Sequence, residues 1–146
     1  MHAETHTSLY LLSTLAISTL SFSAEPDGSR VGLGGYDPVS YFTQGKPERG
    51  VSDLSARYDN VTYWFRSDEH RNLFVKNPDG YAPRFSGYCA IDLSRGLLTE
   101  PDPEAWTIAD GKLYVFGKKR GPSVFAEERQ EIVAKAAQNW RDLQNR

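Results

Sequence analysis

Cysteine is nearly absent from this chain. The 146 residues include one cysteine, Cys89, and one methionine. A single cysteine excludes an internal disulfide, so Cys89 is a free thiol, half of an intermolecular bridge or a metal ligand. The sequence also lacks a nucleophile–base motif, a paired-carboxylate spacing and a multi-histidine metal signature. An enzyme is therefore not indicated, although catalytic groups meet in space rather than in sequence.

The sequence also has no long run of positive charge. The formal net charge is −2, and the longest positive run, Lys118-Lys119-Arg120, is too short for a nucleic-acid footprint. We therefore expect no nucleic-acid partner. The charged fraction of 25% and the length of 146 residues are typical of one globular domain.

Only one apolar run stands out, and it is short. Leu9 to Leu20 is broken only by Ser and Thr. It is too short to span a bilayer comfortably, and it has the length of a signal-peptide apolar region. Small residues at Ser21 and Ser23 suit cleavage after Ser23. No Lys or Arg precedes the run, so a short buried helix is the alternative.

The domain boundaries follow from that interpretation. We predict that residues 1–23 are a signal peptide, that residues 24–30 are a linker and that residues 31–146 are a single domain with a C-terminal helix. The predicted location is the periplasm or the outside of the cell. No stable membrane span is expected after processing.

Two β-hairpins and three helices are predicted. Turns at Asp59-Asn60 and Asp110-Gly111 separate alternating apolar segments, which is typical of hairpins. Asp37, Ser67 and Ser123 are the predicted helix N-caps. The last helix is long and amphipathic, with apolar residues at Phe125, Ile132, Val133, Ala136, Trp140 and Leu143.

These elements predict an α+β fold. A small antiparallel sheet built from the hairpins is packed by the short Ser67 helix and by the long C-terminal helix. The segment from Phe85 to Leu93 fits either a strand or a helix. No internal repeat is visible in the sequence.

A family resemblance rests on several motifs. They are Tyr58-x4-Tyr63-x-Phe65-x-Ser67-x6-Phe74-x3-Pro78-x2-Tyr81, with Gly35-Tyr36-Asp37-Pro38-Val39-x-Tyr41-Phe42, Gly87-Tyr88-Cys89-Ala90 and Asp110-Gly111-Lys112-Leu113-Tyr114 around it. Together they resemble the stand-alone exported YHS-domain proteins, from about Val31 to Phe116. YHS domains of copper-transporting ATPases and of some phenol hydroxylases imply metal binding through a cysteine pair, with copper as the candidate metal.

The sequence departs from that metal pattern at both cysteine positions. Arg66 stands where the metal-binding versions have the first cysteine, and His70 stands where they have the second. A guanidinium is always protonated and repels a cation. The two-thiolate site that the resemblance implies therefore cannot form here.

Cys89 and His70 are the remaining candidate metal ligands. A Cys89 thiolate suits a soft metal such as Cu(I) or thiol redox chemistry, and a buried, inert thiol is the alternative. An imidazole suits copper or zinc, but His70 lies between Glu69 and Arg71, which favours a solvent-facing position.

The nearby aromatic side chains line either a core or a ligand pocket, and a core is the more usual outcome. They are Tyr63, Trp64, Phe65, Phe74, Tyr81, Phe85 and Tyr88.

Three classes of function remain open. The first is an exported, non-enzymatic YHS-domain protein that binds a metal or a small ligand near Cys89, and copper is the only cofactor suggested. The second is a thiol-dependent redox protein or enzyme centred on Cys89. The third is a structural or interaction module that uses its C-terminal helix against a protein partner that the sequence does not identify.

Overall fold

The structure is a computed structural model that describes residues 29–146. The predicted signal peptide and most of the predicted linker lie outside these residues.

The first predicted hairpin is present, and it belongs to a three-stranded sheet. Strand β1 (Arg30–Val31) pairs in parallel with β3 (Val61–Phe65), and β3 pairs antiparallel with β2 (Val51–Tyr58). Asp59 and Asn60 both have positive φ angles, 51° and 62°. A two-residue hairpin turn of type I′ requires this conformation, and Asp and Asn tolerate it.

The second predicted hairpin forms a separate two-stranded sheet. Strand β4 (Asp102–Ala109) pairs antiparallel with β5 (Lys112–Phe116). Its turn residues, Asp110 and Gly111, again have positive φ angles. Strand β4 begins at Asp102, inside the acidic, proline-containing segment that precedes Ala105.

Helices cover much of the remaining chain. They are α1 (Ser40–Thr43), α2 (Asp68–Lys76), α3 (Pro78–Tyr81), α4 (Ala90–Ser94) and α5 (Gly121–Gln144). Together with the two small sheets, they confirm the predicted α+β class. The segment from Phe85 to Leu93, which fitted either a strand or a helix, forms a 3₁₀ turn at Arg84–Gly87 and then helix α4.

The predicted cap of α2 is confirmed and that of α5 is wrong. The Ser67 hydroxyl accepts a hydrogen bond from the His70 backbone N–H at 3.1 Å. Ser123 lies inside α5, which begins at Gly121 without a side-chain cap. A Cβ at Gly121 would lie 2.3 Å from the Cβ of Phe116. The close approach of this helix start to β5 therefore fixes where α5 begins.

The two halves of the described chain repeat one order of elements. Each half begins with a 3₁₀ turn, Gly32–Gly35 or Arg84–Gly87, and continues with a short helix, a hairpin and a longer helix. Two consecutive residues of each turn have φ angles of 54–57°. A Gly-Tyr dipeptide follows in both halves.

The hairpins match in register as well. In the first, Val51 pairs with Phe65 and Ser55 pairs with Trp64. The register therefore shifts, because a step of four residues along β2 matches a step of one residue along β3. The second shows the same shift between Asp102 and Trp106 against Phe116 and Val115. A repeat that the sequence analysis did not find is therefore present in the backbone.

The described residues form two apolar cores, and the first also includes Leu113 and Val115 of the second hairpin. Tyr63, Phe65 and Phe74 are buried in the first core, and Phe116 and Phe125 are buried in the second. Phe125 contacts the rings of Tyr114 and Phe116, whereas Trp140 is half-buried and contacts Tyr88. Both residues face the protein from α5, as the amphipathic pattern predicts. No helix within residues 29–146 is apolar enough over its length to cross a membrane.

Candidate functional site

Cys89 sits at the start of helix α4, in the second core. Its thiol sulfur accepts the Asp92 backbone N–H at 3.4 Å, so the side chain caps the helix. The Cys89 backbone N–H donates to the Thr99 carbonyl at 2.9 Å, and its backbone bridges to Val115. The residue is 3% exposed. This burial agrees with the alternative in which Cys89 is a buried, inert thiol.

A small cavity of about 140 Å³ borders this thiol. Helix α4, the end of β5 and the start of α5 form its walls, so it lies between three elements of the second half. Its apolar lining includes Ile91, Phe116 and Val124. The rest of the lining is Cys89, Asp92, Arg95, Thr99, Gly117, Lys118, Arg120 and Gly121.

The charge of the lining is predominantly positive. Arg95, Lys118 and Arg120 contribute three cations, and Asp92 contributes one carboxylate. All three cations are exposed side chains, so they lie at the rim and the sulfur lies deeper. Such an arrangement attracts an anion and repels a metal cation.

His70 does not face solvent as the sequence pattern favoured. It is 7% exposed, and its Nδ1 lies 2.7 Å from Oδ2 of Asp37, which is fully buried. A carboxylate only accepts hydrogen bonds, so Nδ1 carries the hydrogen. The other ring nitrogen lies 3.3 Å from the Thr43 hydroxyl. Glu69 and Arg71 flank His70 in sequence, but the turn of the helix directs the imidazole inward.

Asp37 is a hub for buried donors. One carboxylate oxygen accepts the backbone N–H groups of Val39 and Ser40 at 2.8 and 3.3 Å. Asp37 therefore binds N–H groups at the start of the helix as predicted, but the predicted cap position is wrong, because α1 begins at Ser40 and Val39 is its N-cap residue. The other oxygen accepts the Arg66 backbone N–H at 2.9 Å and the His70 imidazole. Asp37 therefore ties the start of α1 to the end of β3 and to α2.

Asp37 and Cys89 occupy equivalent positions in the repeat. Each follows the Gly-Tyr dipeptide and caps the backbone of the short helix after it. By strand register, Arg66 after β3 corresponds to Gly117 after β5. Arg66 contacts Asp37, and a Cβ at Gly117 would lie 3.9 Å from the Cys89 sulfur. In the first half a histidine fills the space beside the cap, whereas in the second half the cavity lies there.

The structure does not join the two candidate metal ligands. His70 contacts Asp37, Ser40 and Thr43, and Cys89 has none of these residues as a neighbour. No three or more His, Cys, Asp or Glu side chains within residues 29–146 are grouped to hold a metal ion. Arg66 pairs with Glu48. Metal binding through Cys89 and His70 stays a prediction.

Most of the aromatic cluster is core. The rings of Tyr63 and Phe65 both pack against Phe74, with ring centroids 5.3 and 5.0 Å from it. Trp64, Tyr81 and Tyr88 are half-buried. Phe85 belongs to the second core.

The Asp37–His70 pair is the feature that sequence reasoning missed. The one available signal was Asp37 itself, because a carboxylate cap followed by proline leaves one oxygen without a partner in its own turn. Nothing in the sequence points from Asp37 to His70, 33 residues later.

A comparison with protein-family models, curated proteins and solved structures finds no match for this chain.

Proposed function

We propose that this chain is an exported, non-enzymatic protein of the YHS-domain type that binds a small anionic ligand in the Cys89 cavity. The observation that carries the proposal is the cavity wall, where an apolar interior meets a rim with Arg95, Lys118 and Arg120. Ligand sites combine apolar walls with a few convergent polar groups in this way. The YHS-type motifs and the apolar run before residue 24 support the family and the export.

The charge of the rim favours an anion over copper. Cys89 and Asp92 are two donors that suit a metal, but a stable site needs three or four ligands. The three cations would oppose a metal ion at short range. They suit a phosphate or a carboxylate, because guanidinium groups bind such oxygens with paired hydrogen bonds.

Ligand titration tests the binding. Inorganic phosphate and butyrate serve as probes for a phosphate and a carboxylate ligand. Calorimetry measures their binding, and the backbone N–H signal of Gly117 reports whether they bind in the cavity. Because the rim cations supply the attraction, we expect Arg95→Gln to weaken binding about tenfold, the effect of losing one charged hydrogen bond. Lys119→Gln, on a neighbouring exposed residue outside the cavity lining, is the matched control.

Competing outcomes are decisive. Cu(I) binding under reducing conditions that disappears in Cys89→Ser would replace the anion with copper. A reactive, low-pKa thiol in the metal-free protein would favour thiol redox chemistry. Intact Met1 in protein from its native host, read by mass spectrometry, would refute export.

A further inference from the structure

A second cleft lies away from Cys89, between the Arg84–Gly87 turn and the last turns of α5. Its volume is about 210 Å³, and Asp59 at the tip of the first hairpin closes one side. For comparison, an engineered apolar cavity of roughly 150 Å³ holds benzene. The aromatic part of its lining is Tyr58, Tyr63, Phe85 and Trp140. The cleft therefore has room and apolar surface for an aromatic ring.

Arg84 brings a donor without a partner into this cleft. Its Nε is buried and makes no hydrogen bond to the described chain. The only other such atom within residues 29–146 is an oxygen of Glu48, whose second oxygen pairs with Arg66. An unsatisfied buried donor is costly, and a guanidinium N–H is satisfied only by an acceptor.

Tyr63 brings a second polar group to the same place. The residue is 1% exposed, its ring lies in the first core, and it also lines the cleft. Gly32 leaves room for the Tyr63 ring, since a Cβ at Gly32 would lie 2.5 Å from Tyr63 Cε1. No hydrogen bond joins the Tyr63 hydroxyl to any residue from 29 to 146, and the hydroxyl is not among the fully buried unpaired atoms of these residues. Burial raises the pKa of Tyr63 above its ordinary value, so the hydroxyl remains a donor at neutral pH.

The turn that carries Arg84 is strained. Phe85 and Ser86 have φ angles of 55° and 54°, a conformation that is uncommon for any residue other than glycine and an outlier for a bulky one. The Arg30 guanidinium holds it by donating to the Ser86 carbonyl at 2.5 Å. Such strain is concentrated where a structure positions functional groups. Here it places Arg84, Phe85 and Ser86 on one wall of the cleft.

We propose that this cleft binds a small aromatic carboxylate. The ring packs against Phe85 and Trp140, and the carboxylate accepts hydrogen bonds from the Arg84 guanidinium and the Tyr63 hydroxyl. This site is separate from the Cys89 cavity, and the proposal does not rest on anion binding there.

The other charges of the cleft fit this orientation. Asp79 is paired with Lys112 at 3.3 Å. Arg141, on α5, adds a second cation and uses one N–H group on Gln138 at 2.9 Å. Asp59 is exposed at the hairpin tip, so it lies at the mouth of the cleft. The carboxylate end of the ligand therefore points inward, away from Asp59.

Titration with phenylacetate tests the proposal, with 2-phenylethanol and 2-phenylethylamine as neutral and cationic analogues. Calorimetry measures affinity, and the indole N–H signal of Trp140 reports the location. We expect phenylacetate to bind at least tenfold more tightly than either analogue. We also expect Arg84→Gln to weaken it at least tenfold and Tyr63→Phe about three- to tenfold, as the loss of hydrogen bonds to a charged group predicts.

Two controls keep the result specific. Arg95→Gln changes the Cys89 cavity and should leave the response of the Trp140 indole N–H signal to phenylacetate unchanged. Tyr63→Phe keeps the ring and its packing, so its thermal midpoint should stay close to that of the unaltered protein. The proposal is overturned if phenylacetate does not bind, if the amine binds more tightly, if Arg84→Gln has no effect, or if Arg95→Gln weakens binding as much as Arg84→Gln does.

Discussion

The two halves of this protein share a backbone plan but differ beside the residue that caps the short helix. In the first half, Asp37 is surrounded by donors and His70 fills the adjacent space. In the second half, Cys89 occupies the equivalent position beside a cavity of about 140 Å³. The same scaffold therefore builds a closed polar junction once and an open site once.

Asp37 and Cys89 differ in how many hydrogen bonds they accept, and this difference indicates what each residue does. A buried network in which each member has a partner makes the structure rigid and specific. The Asp37 carboxylate has four donors, which accounts for its burial without any ligand. Cys89 accepts only one weak hydrogen bond, at 3.4 Å. The first junction is therefore interpreted as structural, and the second is available for binding.

The largest expected effect comes from removing the first cap. Asp37→Ala leaves the backbone N–H groups of Val39, Ser40 and Arg66 without their acceptor, together with the His70 imidazole. Breaking such a buried, charged network typically costs about 3–5 kcal/mol. Urea unfolding followed by circular dichroism measures the loss. Cys89→Ala, the equivalent change in the second half, should cost only about 1 kcal/mol, because it removes one small buried group.

Asp53→Ala, on an exposed strand residue, is the control for Asp37→Ala and should stay within about 0.5 kcal/mol. Equal losses at Asp37 and Cys89 would remove the distinction between a structural and an open junction.

Alkaline pH should act on the first half through two tyrosines. Burial raises the pKa of Tyr41 and of Tyr63 above the ordinary value of 10.0, and Glu104 adds to the effect on Tyr41. Above pH 10 the unfolded chain loses these protons while the folded chain keeps them. The free energy of unfolding therefore falls as pH rises, by about 1.4 kcal/mol per pH unit for each tyrosine.

Unfolding measured between pH 9 and pH 12 tests this dependence. Tyr63→Phe should remove the contribution of one proton from the slope of unfolding free energy against pH. Below pH 9, these tyrosine protons should not affect the stability of either the unaltered protein or the variant. An unchanged slope in Tyr63→Phe would show that this hydroxyl titrates normally in the folded protein.

The smallest expected effect separates the hydroxyl groups of two buried tyrosines. Tyr41 donates to the Pro103 carbonyl at 2.8 Å and thereby links the first half to strand β4 of the second. Tyr63 has no such partner. Tyr41→Phe should therefore cost about 1 kcal/mol, the usual contribution of one hydrogen bond, and Tyr63→Phe should stay within about 0.5 kcal/mol. Thermal unfolding at neutral pH compares them, and the reverse order would contradict the assignment of Tyr63 to a ligand.

Local patterns were sufficient for several elements. The turns at Asp59-Asn60 and Asp110-Gly111 and the Ser67 cap were predicted correctly, because turn and cap chemistry depends on residues adjacent in the chain. The α+β class followed from these elements and from the apolar face of α5. The start of α5 was predicted wrongly, at a Ser123 cap, since it depends on how closely Gly121 approaches Phe116.

The sequence by itself determined the hairpins, the helix periods, the single thiol and the lack of a long basic run, since these properties reside in neighbouring residues or in composition. Only the tertiary structure decided that His70 meets Asp37, that Cys89 borders a cavity and that Tyr63 and Arg84 share a cleft. Each of these arrangements depends on the packing of elements that are distant in the chain, often by about 20 residues or more. The repeat was also hidden, because backbone angles and strand register can be the same where the side chains differ.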